Sequence, residues 1–296
     1  MQKIEFIIEK SSELIKAVID KLPFLSRHEV KKILDNKDIK VNGARVKENC
    51  DLKINDKIIV FYEDKQQKEW FSLVYVDENI LIVNKRAGIE IISETERDLQ
   101  SVLRLEYPKA TAVHRLDRNT EGLVIFALNK KTEKSLLTAF KTRNGIIKKY
   151  ALLVHGRVDI TKIKRTVYLK KIDSLSKVWI SELKTSGYEP IITEFDLVQY
   201  IGDNTLLEAT LVTGKTHQIR AHISYYGFPI VGDQKYGNKN SDLLAKKYTM
   251  RGNFLHAKRL CFHNLTGSLD YLNDKEFIAP LFDWEIKLIN RLKGVY

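Results

Sequence analysis

His114-Arg115-Leu116-Asp117-Arg118-Asn119-Thr120-Glu121-Gly122-Leu123-Val124-Ile125-Phe126-Ala127 sets one carboxylate among cations on a polar loop, then runs directly into an unbroken apolar strand. A loop fixed to a rigid strand is a place where a charged reactive group can be mounted. Asp117 is the candidate singled out. An aspartate between Arg115 and Arg118 is also what an ordinary surface ion pair looks like, so its meaning rests on the rest of the chain.

A second segment bears on it. Leu206 to Val212 alternates as a half-buried strand should, breaks at Thr213-Gly214-Lys215-Thr216, and resumes as His217-Gln218-Ile219-Arg220-Ala221-His222-Ile223 before Gly227 and Pro229. The pattern predicts a strand, a polar turn and a short helix. Such a unit can hold Arg220 near a carboxylate from elsewhere in the chain, and a nearby cation favours the ionised form of an acid.

Taken together, HRLDRNTEGL (114–123), LVTGKTHQIRAH (211–222) and FPIVGDQKYG (228–237) closely resemble the RluA/RluC/RluD group of RNA pseudouridine synthases. The resemblance spans nearly the whole chain, and three ordered motifs are more specific than any single short pattern. It implies that Asp117 is the essential catalytic aspartate and that Arg115 fills the gap left when the target uridine swings out. By the same resemblance Tyr150 stacks on the uracil and is a candidate base for the C5 proton, and Arg220 pairs with the aspartate. His114, Thr216, His217 and Gln218 are expected beside the substrate. The implied reaction breaks the N-glycosidic bond of uridine, turns the base and joins C5 to the ribose. No electrons leave and no group is donated, so no cofactor or metal is expected; the site needs an ionised carboxylate, a base and an enclosed uracil pocket. Extruding a base costs stacking and pairing, and the flat guanidinium of Arg115 suits the vacancy.

Working outward, residues 1–62 read as a separate small α/β module. Met1 to Ile8 alternates like a strand, Leu14, Ala17 and Val18 share one helical face, and Ser26-Arg27-His28-Glu29 forms a capping box before Val30, Ile33 and Leu34. Asn42-Gly43 marks a hairpin within Ile39 to Val46. The segment resembles an S4 RNA-binding domain, which makes Arg27, Lys31, Lys32, Lys40 and Arg45 candidate phosphate contacts. The charged, apolar-poor run at 63–70 suits a linker. Residues 71–296 form the expected catalytic domain, by resemblance an α+β fold with a mixed, mainly antiparallel sheet and flanking helices. Leu73 to Val76 and Ile80 to Val83 predict paired strands, and Leu136, Leu137 and Phe140 form an apolar stripe expected in the core. Three departures from the family pattern stand out: Arg86 where proline is usual, Glu121 where serine is frequent, and a short stretch from Ser93 to Ser101.

Composition points the same way. Fifty Lys and Arg against 38 Asp and Glu leave a formal charge of +12, which favours a polyanionic partner. RNA is the expected partner, ribosomal RNA ahead of tRNA, and Lys148, Lys149, Lys162, Lys164, Arg165, Lys170 and Lys171 are candidates to line its path. Neither a bilayer-spanning apolar run nor an export signal is seen, so no membrane partner is expected. Cys50 and Cys261 stand far apart with no metal-ligand spacing, which argues against a disulfide scaffold or a zinc site and for a reducing cytoplasm. The His217 to His222 spacing also fails the zinc-helix pattern. A monomer is expected. The competing functions are an S4-type RNA-binding protein with a dead site and a glycosidase-like hydrolase. The latter needs two carboxylates flanking the bond, for which Glu121 and Asp233 are the candidates beside Asp117.

Overall fold

The computed structural model describes residues 2–22, 25, 27–62, 70–94, 98–142, 145–250 and 252–295. Ser26 of the expected capping box and residues 63–69 of the expected linker lie outside them. The chain divides into two compact units, residues 1–70 with 92–108 and residues 71–91 with 109–296. The sequence places 92–108 in the larger domain; periodicity cannot report which neighbours so short a stretch chooses.

In the first unit, strands β1 (Gln2–Ile7), β2 (Ile39–Val41), β3 (Ala44–Val46) and β4 (Lys57–Tyr62) form an antiparallel sheet in the order β1-β4-β2-β3. Helices α1 (Leu14–Lys21) and α2 (Arg27–Asp35) cover one face. Leu14, Val18, Val30 and Leu34 meet Ile39, Ile58 and Val60 in one core, the alternate residues of β4 supplying the sheet's share. Asn42 and Gly43 take φ of 51° and 87°, the two left-handed steps that a tight hairpin between twisted strands requires. A short helix, α3 (Leu99–Leu103), is capped by Asp98, which accepts from Ser101 N at 2.7 Å.

The second unit is built on one large sheet. Besides a two-residue strand, Thr111–Ala112, paired with the end of β7, its strands are β5 (Phe71–Val76), β6 (Ile80–Lys85), β7 (Glu121–Ala127), β8 (Ile146–His155), β9 (Thr166–Ile172), β10 (Lys177–Ser181), β11 (Glu189–Ile201), β12 (Asn204–Leu211), β13 (Leu255–Phe262) and β14 (Glu276–Ile278). The order is β10-β9-β11-β12-β8-β13-β7-β6-β5, with β14 on β13. Every pairing among these strands is antiparallel except β7 with β13. The mainly antiparallel α+β architecture expected from the motifs is therefore the one observed. β6 and β7 are buried along their whole length, as continuous apolar runs covered on both faces should be.

Around the sheet lie α4 (Lys130–Thr142), α5 (Gln218–Tyr225), α6 (Lys239–Lys247) and α7 (Asp283–Leu292). In α4 the expected core stripe is only partly core, since Leu136 is fully buried whereas Leu137 is 47% exposed. Consecutive helical positions lie about 100° apart, so a stripe containing both cannot turn both inward.

Candidate active site

Asp117 stands on the turn that feeds β7, closed by a Thr120 N–H bond to the Asp117 carbonyl at 3.0 Å. Three features pin this turn. Gly122 has φ +111°, and a Cβ there would lie 2.3 Å from the Ala257 carbonyl oxygen, so only glycine lets β7 approach β13. The Arg118 carbonyl accepts from Gly88 N at 2.8 Å and Ile89 N at 3.2 Å. Lys85, fully buried, donates from Nζ to the carbonyls of Arg86, Ile89 and Arg118 at 2.8, 3.0 and 3.1 Å.

Burial pushes the Lys85 ammonium down to about 7, against the pull of Glu121, Asp117 and Glu90. In the unfolded chain a lysine titrates near ~10.4. Between these values the unfolded chain binds the extra proton, so stability should rise from about pH 7 to about pH 10. Thermal unfolding across that range is expected to show this slope, and Lys85→Met to flatten it; an unchanged slope in the variant would exclude Lys85 as its source.

The acid's partner comes from α5. Arg220 donates from Nη1 to Asp117 Oδ2 at 2.7 Å, and from Nε and Nη2 to the two oxygens of Asp233 at 2.7 and 2.8 Å. Asp233 is fully buried and also accepts from Lys235 N and Tyr236 N at 2.9 and 3.1 Å. One edge of the guanidinium is thus locked by a bidentate pair, while the other is presented to Asp117. Burial pulls Arg220 toward neutrality, but the bonds and charge of Asp233, with those of Asp117, outweigh it and leave its pKa above the ordinary value. Burial likewise works to raise Asp233, and the Arg220 bonds hold its carboxyl below the usual range.

His217 precedes α5 in a left-handed conformation, φ +53°. Its Nδ1 lies 2.9 Å from the Tyr236 hydroxyl and its Nε2 3.9 Å from Asp117 Oδ2. Burial pushes the imidazole down more than Asp117 pulls it up. The Tyr236 ring lies 5.3 Å from the Arg220 guanidinium, and its hydroxyl accepts from Val178 N at 2.8 Å.

These groups open onto a cleft of about 130 Å³, lined among others by Arg115, Asp117, Lys148, Tyr150, Thr216 and Arg220. Tyr150 sits where β8 shifts register against β13, with Lys258 the extra residue on the β13 side. It is 5% exposed, and burial, reinforced by the Asp117 charge, pushes its phenol well above the ordinary range. Lys148 lies over the Phe140 ring at 5.3 Å and is pushed down to about 8 by burial. Arg115 is exposed at the rim.

Asp117, Tyr150, Arg220, Arg115, Thr216 and His217 are therefore brought together. His114 and Gln218 are not available as expected. His114 turns into the protein, accepting from Ile125 N at Nε2 at 3.0 Å and packing on Phe140, and burial drives it down to about 3. Gln218 touches the cleft, but its amide is spent on Thr213, Lys215 N, the Ile192 carbonyl and Thr193. Both hold the scaffold. Of the lysines and arginines expected along an RNA path, Lys149 pairs with Glu208, Lys164 with Glu182, Arg165 with Glu194 and Lys171 with Asp173. Arg27, Lys31, Lys32, Lys40 and Arg45 belong to the first unit; Arg45 is held by the Lys37 carbonyl and Asp38 at 2.8 and 3.4 Å. Neither extra carboxylate of the hydrolase reading is free. Asp233 is committed to Arg220, and Glu121 is buried against Ala87 N and Trp284 Nε1.

Sequence reasoning missed Lys85, whose only signal is a lone lysine closing an apolar strand, and the service of Asp233 to Arg220.

Comparison with known proteins agrees with this geometry. A profile described as RNA pseudouridylate synthase matches residues 79–225. A Mycoplasma capricolum protein named an uncharacterized RNA pseudouridine synthase is 34% identical over 86% of this chain and 88% of its own. Ribosomal large subunit pseudouridine synthase C of Buchnera aphidicola is 30% identical over 89% of this chain and 91% of its own. The structure of human RNA Pseudouridylate Synthase Domain Containing 4 shares the fold with a TM-score of 0.60 at 20% identity, covering 75% of this chain and 93% of that one. Similarity of this degree over most of the chain, with a carboxylate and guanidinium paired at the cleft, makes this protein a member of the RNA pseudouridine synthase family.

Proposed function

We propose that Asp117 carries the chemistry on a uridine of large-subunit ribosomal RNA, with Arg220 fixing the carboxylate and Arg115 replacing the extruded base. The observation that carries this reading is the 2.7 Å contact between Asp117 and Arg220 at the cleft, with Arg220 itself locked by Asp233. A phenol driven upward by burial and by the Asp117 charge keeps its proton at neutral pH, which favours Tyr150 as the surface on which uracil stacks over Tyr150 as the base for the C5 proton. No step requires a cofactor. The names of the ribosomal relatives support a ribosomal substrate over tRNA, and the helices, hairpin and basic side chains of the first unit support an S4-like role in docking RNA. The enzyme acts in this reading as a cytoplasmic monomer.

Uridine mapping in total RNA, with and without the gene, tests the target: loss of a large-subunit site is expected, and loss confined to tRNA would overturn the assignment. Arg115 tests the extrusion step. Arg115→Ala should cost roughly tenfold to a hundredfold in kcat/KM on structured RNA, reflecting the few kcal/mol of extrusion that Arg115 would offset. Its thermal stability should be unchanged, and equal kinetics with structured and unstructured substrates would remove Arg115 from that role.

A further inference from the structure

Behind the aspartate turn lies a second cluster that the reaction does not use. Glu121, the first residue of β7, stands in parallel register opposite His256 of β13, and Glu285 joins them from the first turn of α7. Glu121 is 3% exposed and the other two are fully buried. One donor atom from each side chain lies within 4.8 Å of the others.

The polar atoms here are only partly satisfied. His256 Nδ1 lies 2.9 Å from Glu285 Oε2, which also accepts from Phe282 N at 2.8 Å. His256 Nε2 and Glu285 Oε1 are buried with no hydrogen-bond partner. Whichever tautomer the ring takes, Nε2 is left as a bare lone pair or an unused donor, and Glu285 Oε1 is left bare as well. Buried polar groups are normally paired, so each of these atoms calls for a ligand.

We propose that Glu121, His256 and Glu285 form a structural site for a divalent transition-metal cation, with zinc the best match. One imidazole nitrogen and two carboxylates are a donor set that zinc accepts, whereas calcium and magnesium favour all-oxygen sites with more ligands. Three donors from β7, β13 and α7 tie the root of the aspartate turn to the last helix. The full burial of the site gives it a structural and not a catalytic character, so the reaction at Asp117 proceeds without drawing on the ion.

The test uses the full chain, stripped with a chelator and then reloaded with zinc alone. About one zinc per chain should survive gel filtration, and the unfolding temperature should rise by several degrees on reloading. Glu121→Gln, which keeps the shape of the side chain, should reduce retained zinc to background and abolish the thermal shift. His256→Asn should do the same. If a variant fails to fold, the native chain decides by itself. A stripped native chain that retains no zinc and shows no shift would overturn the proposal and leave the cluster sharing protons instead. Retention that is equal in the native chain and in both folded variants would place the metal elsewhere and overturn it as well.

Discussion

Asp117→Asn is expected to abolish uridine conversion, by at least about three orders of magnitude, while RNA affinity changes by less than roughly threefold. The asparagine has nearly the shape of the acid and can still accept from Arg220, so the cleft keeps its form. What disappears is the charge. Arg220 stays charged through Asp233, and binding, which depends on phosphates and shape, has little reason to respond. Conversion followed by pseudouridine mapping, with affinity followed by filter binding, separates the two. Retained conversion would refute the catalytic assignment, and a parallel loss of binding would mean that the residue serves structure first.

The second large effect belongs to Asp233. Asp233→Ala removes a fully buried acid that holds the Nε/Nη2 edge of Arg220 and accepts from two backbone N–H groups. Taking one partner from a buried ion pair typically costs about 3–5 kcal/mol, because the remaining charge is left in a low-dielectric interior. In a unit of this size that corresponds to a fall of roughly 10 °C in unfolding temperature. Conversion should fall too, measured below the new transition, since Arg220 then has only Asp117 to orient it. The acid limb supplies a further check. A carboxyl held below its unfolded value, near ~3.9, stabilises fully above that pH and loses its contribution as pH falls through the lower folded value. The native protein should therefore lose stability below about pH 4 more steeply than the variant. A variant that melts within a degree or two of the native protein would show that the fork is not formed in solution.

Much of this site was legible in the chain because its motifs are local. The strand at 121–127 follows from an unbroken apolar run, the turn at 213–216 and the helix after it from breakers, and the family resemblance supplies the pairing of Asp117 with Arg220. The hairpin at Asn42-Gly43 is equally direct. What escaped depends on where side chains end up. His114 has the same polar character as its neighbours, yet the turn directs it inward onto Phe140. Gln218 looks like a substrate contact until its amide is seen bridging β11 to the turn before α5. Lys85 is an isolated lysine in the sequence and a three-carbonyl clamp in the fold. The Glu121, His256 and Glu285 cluster is drawn from three elements, so no spacing rule could have gathered it.

The lone parallel contact of the large sheet has a bearing on how the molecule comes to be made. β7 and β13 are neighbours in space, but β8 to β12, α4, α5 and α6 are threaded between them in the chain. Asp117 and Arg220 are themselves 103 residues apart. Ordering so long an excursion before the seam can close carries a loop entropy that local hairpins do not, and pairings of that kind form late. The hairpin of β5 and β6 closes a far shorter loop, so the reactive constellation carries the larger share of that entropic cost.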